Sequence, residues 1–191
     1  IKTRALRHEV HHVPSPAGID FEKNGLHTSD SDLAIYVRPE SGNNILIGSE
    51  DPACDEQVWV DDPDDYDNVV SDEQWNAQVL RLARRMPDLG IPNEKKGVVD
   101  LYDVSDDWIP IYDRTDLDGF YVAIGSSGNQ FKNAPVAGWC MAELIVAVED
   151  GHDHDAAPLV VTGVHTGLEM DMGFYRRNRE INSDSSFSVN G

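Results

Sequence analysis

Long apolar runs are missing from this 191-residue chain. None approaches the ~20 residues that a membrane-spanning helix requires, so no transmembrane segment is expected. No secretory leader is visible either, and a cytoplasmic location is the expectation. Cysteine is scarce: Cys54 and Cys140 are the two present, too few for a disulfide framework. Cys140 lies among Trp139, Met141 and Leu144, as a core side chain would. Positive charge is scarce as well. Fifteen Lys and Arg, five of them Lys, face 35 Asp and Glu, for a net charge of −20. Such a chain repels nucleic acid and anionic membranes, so neither is an expected partner. No CxxC or HExxH occurs. Zinc or nickel could bind His8, His11 and His12, or the pair His152 and His154. In a strand, however, His8 and His12 share a face that His11 does not, and no metal site is expected. Also missing is G-x-G-x-x-G, the turn that holds a dinucleotide pyrophosphate.

What is abundant is acid. Runs such as Asp61-Asp62-Pro63-Asp64-Asp65-Tyr66-Asp67 repel themselves at low salt, and salt screens them. With aspartate common throughout and lysine rare, the pattern resembles proteins of salt-loving archaea and bacteria. Strands are expected over 4–13, 34–38 and 44–48, the last two joined by a hairpin turn at Ser41-Gly42-Asn43-Asn44. Residues 51–70 read as an acidic loop. Ser71 and Gln74 form a capping box. Trp75, Val79, Leu82 and Met86 then recur at helical spacing, which predicts a helix over 72–86 ended by Pro87 and Gly90. Further strands are expected over 98–104, 109–112 and 159–162. The basic cluster Arg176-Arg177-x-Arg179 in the tail is expected to pack onto acidic surface.

The most informative stretch is 117–138. Phe120 to Ile124 is a short apolar run, as expected of a strand buried on both faces. Gly125-Ser126-Ser127-Gly128 follows as a glycine turn, and Pro135 fits the first turn of a helix. A helix N-terminus offers free N–H groups and a positive dipole end, and Lys132 adds a full charge. The arrangement suits an anionic ligand.

Two motifs carry a resemblance. One is Gly119-Phe120-Tyr121-Val122-Ala123-Ile124-Gly125-Ser126-Ser127-Gly128-Asn129-Gln130-Phe131-Lys132-Asn133-Ala134-Pro135. The other is Leu101-Tyr102-Asp103-Val104-Ser105-Asp106-Asp107-Trp108-Ile109-Pro110-Ile111. A weaker third is Ile35-Tyr36-Val37-Arg38-Pro39-Glu40 with Ile45-Leu46-Ile47-Gly48. In order and spacing they resemble the C-terminal part of the D-amino-acid-oxidase-like FAD enzymes, the group with sarcosine and glycine oxidases, over roughly 1–148. The third glycine of the family pattern is Gln130 here, and the proline after Ser/Thr is Asp106.

The resemblance implies an α+β fold: a mostly antiparallel substrate-domain sheet plus the last strand and helix of a Rossmann-like FAD domain, with the N-terminal nucleotide-binding half absent. It divides the chain into 1–114 (substrate-domain portion), 115–150 (strand, turn and helix of the FAD domain) and 151–191 (tail). It implies FAD as cofactor, set against Gly125, Ser127, Gly128, Asn129, Gln130, Phe131 and Lys132. Lys132 would pair with a substrate carboxylate, Tyr102 and Tyr36 would line the pocket, and Arg38 could supply a second cation. Asp100 stands where sarcosine oxidases attach FAD through cysteine, so a non-covalent cofactor is implied. Leu46 replaces a lysine that promotes reaction with oxygen, and Glu50 replaces a pocket histidine. The implied activity is oxidation of the C–N bond of a small amino acid or N-methylated amino acid by hydride transfer to flavin. The alternative is a non-catalytic flavoprotein piece or subunit that stabilises a partner chain. The implied partners are a small amine or amino-acid substrate and the N-terminal FAD-binding half.

Overall fold

Apolar residues alternate along the N-terminal strands, and that alternation builds the first sheet. The computed structural model describes residues 2–189. The strands are β1 (Thr3–Pro14), β2 (Thr28–Asp30), β3 (Ile35–Glu40), β4 (Asn44–Ser49), β5 (Val58–Val60) and β6 (Gly97–Ser105), in the order β2-β3-β4-β1-β5 with β6 also on β1. The pairings β2–β3, β3–β4, β4–β1 and β1–β5 are antiparallel. The β3–β4 hairpin turns through Gly42 and Asn43, both at positive φ, as a tight two-strand connection requires.

Two helices accompany this sheet, α1 (Phe21–Asn24) and α2 (Asp72–Arg85). Helix α2 starts where the capping box places it: Ser71 Oγ accepts the Gln74 N–H at 3.1 Å. Its face of Trp75, Val79 and Leu82 packs on Val13, Ile35, Val37, Ile45 and Ile47 to form the core. The strands β2 and β5 were not expected. Each is three residues long within a polar segment.

The described chain forms two compact units, Ala5–Leu101 and a second made of residues 2–4 and 102–189. The second contains β7 (Ile111–Arg114), β8 (Tyr121–Ile124), α3 (Ala134–Glu149), β9 (Val160–Thr162) and β10 (Glu169–Asp171). β7 pairs antiparallel with β8, and β9 with β10. Tyr112, Cys140, Val161 and Met172 make its core, so Cys140 is a core side chain. The fold is therefore α+β with antiparallel sheets and few helices.

One expectation is corrected. β8 is not buried on both faces: Tyr121 and Val122 are half-buried, and Ala123 and Ile124 are exposed. The reason is that β8 pairs with β7 alone among the described residues, and α3 buries only Cys140 and Leu144 of its apolar surface. The tail is not loose. It supplies β9 and β10, and its arginines fasten the unit together. Arg177 binds the carboxylates of Asp113, Asp116 and Asp155, and Arg179 binds Asp107. No helix among the described residues is long and apolar enough to cross a membrane.

Candidate functional site

β8 runs into the glycine turn, and the Tyr102-Asp103 segment of β6 holds that turn in place. Asp103 fastens it twice. Its Oδ2 accepts the Gly125 N–H at 2.6 Å, and its carbonyl accepts the Ser127 N–H at 2.8 Å. The two sequence motifs are thus one local structure, with Asp103 of the second holding two amides of the first, one by its carboxylate and one by its backbone carbonyl. The chain reverses through positive φ at Gly125 (68°), Ser127 (48°) and Gly128 (77°). At Gly128 glycine is required for a second reason: a Cβ there would collide with the Tyr102 ring. Ser127 tolerates its conformation because it is fully buried and tied down, its Oγ donating to the Gly125 carbonyl at 3.2 Å.

These bonds sort the site residues. The N–H groups of Gly125 and Ser127 are consumed by Asp103, and that of Asn129 by the Ser126 carbonyl at 3.1 Å. Among the described residues, the N–H groups of Gly128 and Gln130 have no acceptor. Beyond them a 3-10 turn, Phe131–Asn133, leads into α3 with Pro135 in its first turn. Phe131 is 98% exposed. Lys132 is exposed and has no carboxylate partner among the described residues. An open groove of about 500 Å³ runs beside the turn, lined by Val122, Ala123, Ile124, Ala137, Met141 and Ile145 among others. Two open amide donors, a nearby cation and an apolar groove suit a planar ligand whose edge is rich in acceptors.

Tyr36 and Arg38 belong to the other unit. Tyr36 is half-buried on β3 and covers Gly48, leaving no room for a side chain there. Arg38 is exposed, pairs with Glu40 at 3.0 Å and donates to the Pro39 carbonyl. His11 is engaged on both ring nitrogens, Nδ1 with Gln78 at 2.8 Å and Nε2 with Glu9 at 3.2 Å, and His8 bonds Asp51.

Three residues of the second unit were not assigned a role from sequence. Asp103 lies inside the Leu101-to-Ile111 motif, but its grip on amides far along the chain is a tertiary contact. Tyr112 donates its hydroxyl to Gln130 Oε1 at 2.9 Å. Asp107 is fully buried and accepts from Arg179, from the N–H groups of Ile109 and Asn182 and from Ser105 Oγ. Burial works against its charge, but these donors, Arg179 foremost, hold its carboxyl below the usual range.

A glycine turn clamped by an aspartate, with the Gly128 and Gln130 amides left open, thus stands ahead of the 3-10 turn and helix α3. The sequence model of the family described as FAD dependent oxidoreductase (DAO) matches residues 1–144. The chain belongs to this family, whose members are FAD-dependent oxidoreductases. Comparison with curated proteins returns no match.

Proposed function

We propose that this chain is the C-terminal portion of a sarcosine- or glycine-oxidase-like enzyme that oxidises the C–N bond of a small amino acid or N-methylated amino acid. The observation that carries the reading is the clamped turn, which leaves the amides of Gly128 and Gln130 open. These two amides would hold the pyrimidine edge of the flavin, with Phe131 beside them and the Asp103 clamp fixing the backbone. When bound, FAD supplies the hydride acceptor. The protein's part is position and electrostatics. Pre-aimed amides favour negative charge on the edge they face, because no reorganisation is needed as that charge develops. Lys132, with no carboxylate partner among the described residues, would bind the substrate carboxylate, and Tyr102 would line the pocket. Tyr36 and Arg38 carry substrate-side roles through the resemblance alone.

The exposed Ala123 and Ile124 of β8 and the uncovered apolar surface of α3 support a further point. Such surface is costly to leave in water, and a central strand of an FAD domain would have it covered. The proposal therefore takes 115–150 as the last strand, turn and helix of a Rossmann-like FAD domain, 1–114 as substrate-domain portion and 151–191 as the C-terminal tail. The nucleotide-binding half, with its pyrophosphate turn, is the partner this reading requires.

The test is Lys132→Met in the full-length, FAD-loaded enzyme, assayed by reduction of an artificial dye. Loss of a charge-assisted contact of roughly 1.5–3 kcal/mol predicts a 10- to 150-fold fall in kcat/KM for a carboxylated substrate. The decarboxylated analogue should lose far less. Equal losses on both substrates would remove Lys132 from carboxylate binding, and no dye reduction with any amine or amino acid by the wild-type enzyme would remove the substrate class.

A further inference from the structure

The side chain of Gln130 is pinned at both ends of its carboxamide. Its Oε1 accepts from the Tyr112 hydroxyl at 2.9 Å and from Asn133 Nδ2 at 3.1 Å, while its Nε2 donates to Asn129 Oδ1. Two donors on the oxygen and an acceptor on the nitrogen fix which way the amide faces. The anchor is firm. Tyr112 is buried, packs against Tyr175 with ring centroids 5.2 Å apart, and lies on β7 opposite Ala123 of β8, the strand that enters the turn. Burial pushes its phenol up to about 12, so it remains a donor across the neutral range. The backbone of Gln130 sits at φ −91°, ψ −5°, in the right-handed region, as the residue that leads into the 3-10 turn. Its own N–H stays open.

We propose that Gln130 is a positioning residue: latched to Tyr112, its carboxamide sets the backbone of the turn so that the Gly128 and Gln130 amides point at the bound ligand. The latch stands on geometry alone. That the ligand is the flavin edge rests on the function proposed above.

Two near-isosteric variants remove the latch, Tyr112→Phe and Gln130→Met. The first measurement is amide hydrogen exchange over 125–133 in the chain without cofactor. Each variant should exchange roughly fivefold faster at the bonded amides of Asn129 and Asn133, and the double variant no faster than Gln130→Met alone, which already removes the Tyr112 bond. The second measurement is FAD titration of the full-length enzyme with each variant. The dissociation constant should rise roughly fivefold, the visible absorption band of the bound flavin should shift and its midpoint potential should fall. Unchanged exchange in both single variants, or additive effects in the double, would overturn the latch. Faster exchange with unaltered FAD affinity, spectrum and potential would leave the latch standing but overturn Gln130 as a cofactor-positioning residue. That outcome would count against the flavin-edge reading itself. Gln130→Glu, which keeps the acceptor for Tyr112, should restore slow exchange but depress the flavin potential further through its charge.

Discussion

Removing the Arg179 guanidinium should strongly destabilise the second unit. Asp107 is fully buried and Arg179 is 7% exposed at its side chain, with Nη2 2.7 Å from Oδ1. Arg179→Met leaves a buried carboxylate with no countercharge. Breaking such a pair costs about 3–5 kcal/mol when nothing else compensates. Here Ser105 Oγ and the Ile109 and Asn182 amides still donate to it, each at 3.2 Å, which places the expected loss near the lower end, about 3 kcal/mol. For a chain of this length that corresponds to a fall in Tm of roughly 6–12 °C. Near-ultraviolet circular dichroism during thermal unfolding would read it, because Trp108 follows Asp107 directly and is buried. Asp107→Asn in the same background should recover part of the loss, because the charge that lacked a partner is gone. A loss under about 0.5 kcal/mol, or no recovery in the double variant, would show that the tail is not fastened through this pair.

Acid should act on both units in the same direction. Burial works against the Glu9 charge, but bonds from His11, Arg7 and Ser71 outweigh it and hold its pKa at about 2. The ordinary value is about 4.5, so Glu9 contributes roughly 3 kcal/mol above pH 4.5, lost as pH falls from there towards 2. Burial lowers the pKa of His154, whose Nδ1 accepts the Leu159 N–H at 3.0 Å. The unfolded chain takes up that proton first, so stability also declines below about pH 6.5. Urea melts between pH 3 and 8 should show both slopes, and constant stability from pH 8 to 3 would refute them. Salt should stabilise: a net charge of −20 is self-repelling, and a Debye length of ~3 Å at 1 M removes most of that repulsion. An unchanged or lower Tm in 2 M KCl than in 0.1 M would contradict a salt-adapted chain. Gly128→Ala should cost about 2 kcal/mol or more, through positive φ and collision with Tyr102. A neutral result in thermal melts would mean that the turn yields easily.

Periodicity made α2 legible, because Trp75, Val79 and Leu82 fall on one face and Ser71 caps the end. The β3–β4 hairpin was legible from its turn residues for a similar reason: the signal is local. The strands β5 and β10 were not, since three residues in a polar segment carry no period and exist by pairing with Ala5–Arg7 and Val160–Thr162. The glycine turn could be read from Gly125, Gly128 and Pro135. Which of its amides remain open could not, because that depends on Asp103, whose carboxylate reaches it from β6. The arginine cluster was visible as charge, but its choice of Asp107 and Asp113 is tertiary. The apolar run of β8 read as a buried strand, and its surface remains exposed where, among the described residues, β7 alone pairs with it.

In the proposed function the open amides of this turn hold the flavin. Amide resonances of the full-length enzyme, followed as FAD is added, test it most directly. The Gly128 and Gln130 amides should shift and become protected from exchange on binding. Gly125 and Ser127, already bonded to Asp103, should change little. FAD binding that leaves Gly128 and Gln130 unshifted and unprotected would contradict the account.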